Sequence, residues 1–439
     1  MQNASIYLIT NDQRLHDNPV LTQAIAASEA VVPVYVMDTE MLSKVQYHSQ
    51  KMGRERYHFL LQSLYQLKAN LLRAGADLWY FEGPVVSSIS ALAAETGIRR
   101  IYVQEEPGME EKKTVQGLRN SGLEVIEVKA ACLVPKERLP YKISQLPLIF
   151  TAFRTKIEKH IEIEKPLPTV TAVKTPTHLK AAANLPSLPE LAIDKRSAFP
   201  FSGGENAALE RLHYYFFETQ KVFHYKETRN GLVGIDYSSK FSPWLALGNV
   251  SVRTIFEQLL QLEKAKNTLF PKETSRHPVR ENFSSESTYW IVFELLWREF
   301  FRLNAYKYGV GLFKKEGFLF VNKSYKNDTK ALERWKNGET GDDFVDANMR
   351  ELKATGFMSN RGRQNVASYL VHDMGLDWRW GAAWFEEKLL DYDPYSNWGN
   401  WQYIAGVGND PRFRKFNTQV QADRYDAKGQ YRNSWMKHS

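Results

Sequence analysis

The chain has 439 residues, 43% of them hydrophobic and 25% charged, with a formal charge of +8 and a single cysteine, Cys132. Such a composition excludes a disordered polypeptide and exceeds one ordinary core, so at least two domains are expected. It also excludes a membrane span, since no run approaches the roughly 18 apolar residues needed, and intramolecular disulfides, while disfavouring a metal site. With no secretory leader at Met1–Ser5, a reducing cytoplasmic setting is expected. The positive charge permits a polyanionic partner without proving one.

Residues 1–130 alternate strand and helix signals. Ile6–Thr10, Val31–Met37, Leu78–Phe81, Arg100–Val103 and Glu124–Val128 are short apolar runs rich in β-branched and aromatic residues. Between them lie helical patterns at Pro19–Ser28, Gly53–Ala74, Val86–Thr96 and Glu110–Asn120, with Gly75 and Gly97 where C-terminal caps belong. The alternation predicts an α/β domain around a parallel sheet covered on both faces.

Residues 131–204 hold nine of the 18 prolines. That density predicts a long connector wrapped over the surface, helical only within Leu148–Glu164. Residues 205–439 then read as all-helical, with Glu205–Phe217, Thr288–Tyr308, Asp342–Thr355, Arg363–Asp373 and Trp380–Leu390 separated by Gly, Pro and Asn. Of the 11 tryptophans, only Trp79 precedes residue 240. The two ends serve different purposes.

The first domain has no G-x-G-x-x-G after its first strand, and the chain has no G-x-x-x-x-G-K-[ST], so nucleotide cradles of those kinds are not expected. The polar loop Asn11–Pro19 reads as a capped turn before a helix. In the second domain Tyr237–Leu245 sets three hydroxyls and a lysine before a proline-started helix. Such a helix start can bind a phosphate, or Ser242 can simply cap it. Glu294 and Arg298 share a helix face and can pair across Trp297. Thr355–Asn365 crowds long polar side chains onto a helix start, and Asp391–Trp401 sets two carboxylates, two amides and two tryptophans in eleven residues. Buried polar groups need partners, and a polar, aromatic cofactor supplies them.

These segments, in this order, resemble the photolyase and cryptochrome superfamily: Asn11–Leu21 its N-terminal signature, Leu295–Phe300 its Trp-Arg-Glu helix, Gly356–Arg363 and Asp391–Trp401 its flavin-binding motifs. Within it, Ser238–Ser242, Thr355–Gln364 and Leu390–Trp401 resemble the cryptochrome-DASH branch. The resemblance implies a Rossmann-like antenna-binding domain joined to a helical domain that holds FAD in a U shape. Tyr225, Ser238, Ser239 and Ser242 match positions around the phosphates; Asn360, Arg363, Asp391, Asp393 and Asn397 match positions around the ring and sugar. Lys240, Phe241, Glu294 and Arg298 complete the implied cofactor-binding set.

Trp401 and Trp378 match the inner members of the family's electron-transfer chain, whose outermost tryptophan is replaced by Tyr325. Glu294, Trp297 and Asn397 are the implied catalytic residues, and Trp297, Gln364 and Tyr403 the implied DNA contacts. Gln364 and Tyr403 stand where duplex-repair enzymes usually show Met and Trp. Glu111 matches the acid that binds a folate antenna, 5,10-methenyltetrahydrofolate.

The implied activity is light-driven repair of cyclobutane pyrimidine dimers, preferring single-stranded or looped DNA, by a monomer. A photosensory regulator and a nucleic-acid-binding flavoprotein without turnover are the rivals. The end of the chain at Ser439, without the long tail often found on signalling cryptochromes, leads us to expect repair.

Overall fold

The computed structural model describes residues 3–130, 132–176, 179, 184–267, 279–410 and 414–436. Its N-terminal strands are β1 (Ala4–Leu8), β2 (Ala30–Met37), a small hairpin of β3 (Val45–Gln46) and β4 (Ser49–Gln50), then β5 (Trp79–Glu82), β6 (Arg100–Gln104) and β7 (Glu124–Val128). Apart from the hairpin, these form one parallel sheet in the order β5-β2-β1-β6-β7, with Ile6 opposite both Val32 and Ile101. Ile6 and Tyr7 on opposite faces of β1 are both fully buried, as helices on both sides of a parallel sheet require.

The first strand ends before Thr10, short of expectation. The Thr10 amide donates to Asp12 Oδ1 at 2.9 Å, which turns the chain out of the sheet. The following loop is a capped turn, with Leu21 N–H donating to Asn18 Oδ1 at 3.0 Å. It is also the joint between domains. Arg14 Nη1 donates to Gly248 O at 2.9 Å, Ser251 Oγ donates to Asp17 Oδ2 at 2.5 Å, and His16 Nδ1 meets Glu205 Oε1 at 2.6 Å. Arg14, Asp17 and Asn18 are almost wholly enclosed, and such buried polar groups hold one geometry because leaving any unpaired is costly.

The connector departs from the expected surface wrap. Its helix Phe150–His160 places Phe150, Phe153 and Ile157 on one stripe, and these join Leu133 and Val134 in the core of the helical domain. The stripe repeats at helical spacing, so burying it outweighs the punctuation by proline on either side. Val173 N–H donates to Ala74 O, and Val31 N–H to Lys174 O, tying the same segment to the α/β domain.

The second domain is helical. Glu286–Tyr308 runs through its centre, flanked by Asp343–Thr355, Asn360–Ser368, Trp378–Lys388 and Pro394–Ala405. Two expected helices end early in wider π-type turns, at Tyr214–Glu218 and Tyr369–Asp373. Among the described residues no helix is long and apolar enough to cross a membrane, and no cluster of His, Cys, Asp or Glu is grouped to hold a metal ion.

Candidate functional site

Two cavities of about 290 and 270 Å³ open between the central helices. They meet at common walls made by Arg229, Glu294, Asn360, Arg363 and Asp391. A ligand filling both would have to bend, with one part against each group of side chains.

The smaller cavity collects Tyr225, the run Ser238–Ser242, Arg298, Asn360 and Asp393. Ser242 opens the short helix Ser242–Leu247 without a side-chain capping bond, so the capping reading of this serine fails. Ser242 lines the cavity instead. Lys240 is held at φ +65 with its ammonium buried and without a hydrogen-bond partner, 3.1 Å from the centre of the Tyr237 ring. Burial holds that ammonium well below the usual lysine range, with Glu351 opposing the shift. An anionic ligand would supply the missing partner.

The larger cavity is walled by Trp297, Gln364, Asn397, Trp401 and Tyr403, with Glu294 at its junction with the smaller one. Positions 294, 297 and 298 fall on one face of the central helix, which is why one helix can serve both cavities. Arg363 Nη2 donates to Asp391 Oδ2 at 2.8 Å, and Arg363 Nε to Met358 O at 2.9 Å. Asp391 Oδ1 is buried without a partner, an acceptor waiting for a donor. Asp393 caps the helix Pro394–Ala405 by accepting from Ser396 N–H at 2.7 Å, while Asn397 Nδ2 donates to Ala382 O at 3.0 Å and fixes that amide.

Glu294 does not take Arg298 as its ion partner. Its Oε1 lies 2.5 Å from Arg229 Nη1. Burial raises the Glu294 carboxyl above the ordinary range, and Arg229 opposes the shift. Trp297 is stacked on Phe150 at 3.8 Å and 10°, and meets Tyr403 edge-on at 6.1 Å. One face of that indole is therefore covered by the connector. Sequence reasoning missed Arg229, whose partner lies far along the chain, and Tyr392, which lines the larger cavity and accepts from Trp398 Nε1 at 3.2 Å. It also missed Arg361, although this residue stood inside the polar run Thr355–Asn365.

Trp401 lines the larger cavity and is buried, packed edge-on to Phe385 at 5.1 Å. A Cβ at Gly381 would come within 2.2 Å of the Trp401 ring, so only glycine leaves room for it. Trp378 is fully buried, donates from Nε1 to Lys315 O at 3.1 Å, and lies edge-on to Trp398 at 5.6 Å. Tyr325 is half-buried with a hydroxyl that has no partner, and burial pushes its pKa up.

Glu111 lies apart from both cavities, at the junction of the domains. Its carboxylate sits so close over Gly108 that a Cβ there would fall 1.9 Å from Oε2. Gly108 N–H donates to Tyr395 Oη at 3.1 Å, and Tyr395 Oη donates to Glu106 Oε2 at 2.9 Å. Arg302 Nη1 reaches the same Glu106 oxygen at 2.8 Å. Burial, with the nearby charge of Glu106, pushes the Glu111 carboxyl up to about 7.

Comparison with known proteins agrees with this architecture. Residues 5–172 match the DNA photolyase family and residues 290–438 the FAD binding domain of DNA photolyase. The chain is 42% identical to the cryptochrome DASH of Synechocystis sp. over 97% of its own length and 86% of the relative's. It is 42% identical to that of Xenopus laevis, covering 98% and 82%. A solved Synechocystis cryptochrome superposes with a TM-score of 0.90 at 41% identity, over 98% of this chain and 88% of that one. A bacterial class III photolyase from Agrobacterium tumefaciens does so at 0.82 with 27% identity, over 99% and 86%.

Proposed function

The chain belongs to the photolyase and cryptochrome superfamily, in its cryptochrome-DASH branch, and from that membership we propose that it repairs cyclobutane pyrimidine dimers by blue light, preferring single-stranded or looped DNA. The observation that carries the reading is the pair of confluent cavities. One is suited to the phosphates and sugars of FAD, the other leaves room beside the ring for a pyrimidine dimer, and Glu294 stands at their junction.

FAD fits the residues present. Lys240 and the hydroxyls of Ser238, Ser239 and Ser242 would hold its phosphates, and the unpartnered Asp391 Oδ1 would accept from a ring N–H. When bound and reduced, FAD would supply the one-electron chemistry for a ring opening that is redox-neutral overall. Arg363, fixed by Asp391, favours a negatively charged ring. Asn397 sets a neutral amide beside it. Glu294, held by Arg229 at the junction of the cavities, stands beside the space a dimer would occupy, where its carboxyl can orient the bases. Trp297, which lines the larger cavity, can pack against a base, a contact worth about 1–3 kcal/mol.

The polar Gln364 and Tyr403 give fewer apolar contacts to offset the few kcal/mol that flipping a lesion from a duplex costs. Single strands avoid that cost. Residues 1–130 serve as the antenna-binding domain, with Glu111 holding a folate, and residues 205–439 as the catalytic one. The protein acts as a cytoplasmic monomer.

The test is repair of a thymine dimer in a single-stranded oligonucleotide by reduced holoprotein, in blue light and in darkness. Light-dependent restoration of thymines, stronger than with duplex, is expected. Absence of repair with FAD bound and reduced refutes the reading and leaves light sensing or dark nucleic-acid binding.

A further inference from the structure

At the mouth of the larger cavity an arginine dictates which way an amide faces. Arg361 and Gln364 share the first turns of the helix Asn360–Ser368, and both line the cavity. Arg361 Nη1 donates to Gln364 Oε1 at 2.8 Å, and Nη2 donates to Asn230 Oδ1 at 3.0 Å. The guanidinium also lies 4.7 Å from the centre of the Tyr425 ring, so it is held from three sides. A guanidinium carries donors and no acceptor, which forces the oxygen end of Gln364 toward it. The nitrogen end therefore turns away from Arg361. Among the described residues no hydrogen bond engages Gln364 Nε2, and its two N–H groups remain for a ligand.

We propose that Arg361 is a positioning residue that locks Gln364 as a hydrogen-bond donor toward the cavity, so that the pocket selects dimers of bases with a carbonyl at pyrimidine C4, thymine or uracil, over cytosine. The proposal rests on the dimer-repair reading above. Thymine presents O4, an acceptor, where cytosine presents N4–H₂, a donor. A donor meeting a donor leaves both unsatisfied in a space that has lost its water, and a site built for one hydrogen bond rejects the analogue that cannot make it. An amide free to turn over would accept either base. The arginine removes that freedom.

The experiment compares two single-stranded oligonucleotides, one with a cytosine-containing cyclobutane dimer and the same strand after deamination to the uracil form, which differ in the C4 group and the hydrogen on N3. Dependence of their affinity ratio on residue 361 isolates the contact made through Gln364. Dark binding to FAD-loaded protein is read by fluorescence anisotropy. The wild-type protein binds the uracil form about 10-fold more tightly, the cost of one unmade hydrogen bond. In Arg361→Met both affinities fall, because a cation near the strand is lost, and their ratio drops toward one. In Gln364→Glu the carboxylate keeps one oxygen on Arg361 and turns an acceptor to the cavity, so the preference reverses. That reversal is a change which general loosening of the pocket does not produce. Equal affinities in the wild type, or an unchanged ratio in Arg361→Met, overturn the proposal while leaving dimer repair intact. Failure to bind either dimer, together with no repair of a thymine dimer, overturns the repair reading and this proposal with it.

Discussion

Replacing either member of the Arg363–Asp391 pair separates cofactor binding from folding. The Asp391 side chain is 3% exposed and that of Arg363 24%. In Arg363→Met the carboxylate stays enclosed with no cation. Removing one partner from a buried pair costs about 3–5 kcal/mol, and the lower end applies because Arg363 reaches water. In Asp391→Asn the arginine keeps a neutral acceptor and its access to solvent, so folding loses only about 1 kcal/mol. The cofactor sees the opposite order of clarity. The buried Oδ1 of Asp391 has no protein partner, and an amide there presents either a weaker acceptor or an opposing donor to the ring. A charge-assisted hydrogen bond is worth about 1.5–3 kcal/mol, so FAD affinity falls roughly 10- to 100-fold in Asp391→Asn. Thermal unfolding of the cofactor-free proteins and fluorescence titration with FAD measure the two effects. Wild-type FAD affinity in Asp391→Asn, with the fold intact, would refute the placement of the ring beside this carboxylate.

Gly381→Ala drives a methyl into the Trp401 ring and lowers stability by about 1–3 kcal/mol, read as a lower denaturation midpoint with unchanged slope. Glu351, buried and bonded to Tyr431 Oη at 2.5 Å, is pushed up to about 7 by burial. The native state therefore holds this proton more tightly than the unfolded chain, and stability is full below the unfolded carboxyl value near 4.5 and declines as pH rises to about 7. Glu351→Gln removes this decline, on the order of 3 kcal/mol, from pH-dependent unfolding curves; an unaltered slope between those pH values counts against it. Tyr325 has no hydrogen-bond partner to take its hydroxyl proton, so we expect it to be a slow terminal electron donor if it ends the proposed chain. Tyr325→Trp is expected to speed photoreduction of bound FAD by an external thiol, and Tyr325→Phe to leave its rate nearly unchanged; a large loss in Tyr325→Phe would show that the tyrosine is an efficient donor.

The class of fold and the neighbourhoods of the site were legible in local patterns along the chain. Strand–helix alternation in the first 130 residues is a local signal with a period, and a parallel sheet follows from it. The polar runs at Ser238–Ser242, Thr355–Asn365 and Asp391–Trp401 were conspicuous because polar density on an otherwise apolar helical frame demands partners. All three line the two cavities. Pairing across the chain was decided only in three dimensions. Glu294 could have taken Arg298 by helical spacing, yet its partner is Arg229, which packing of the helix Glu286–Tyr308 against the segment Tyr225–Thr228 brings beside it. The connector's helix was legible within Leu148–Glu164, but not that its phenylalanines complete the core and cover one face of Trp297. Burial, and with it every shifted proton affinity, is a property of what surrounds a side chain from all directions. Periodicity along one chain reports the face of an element, but the identity of its neighbour is set by tertiary packing.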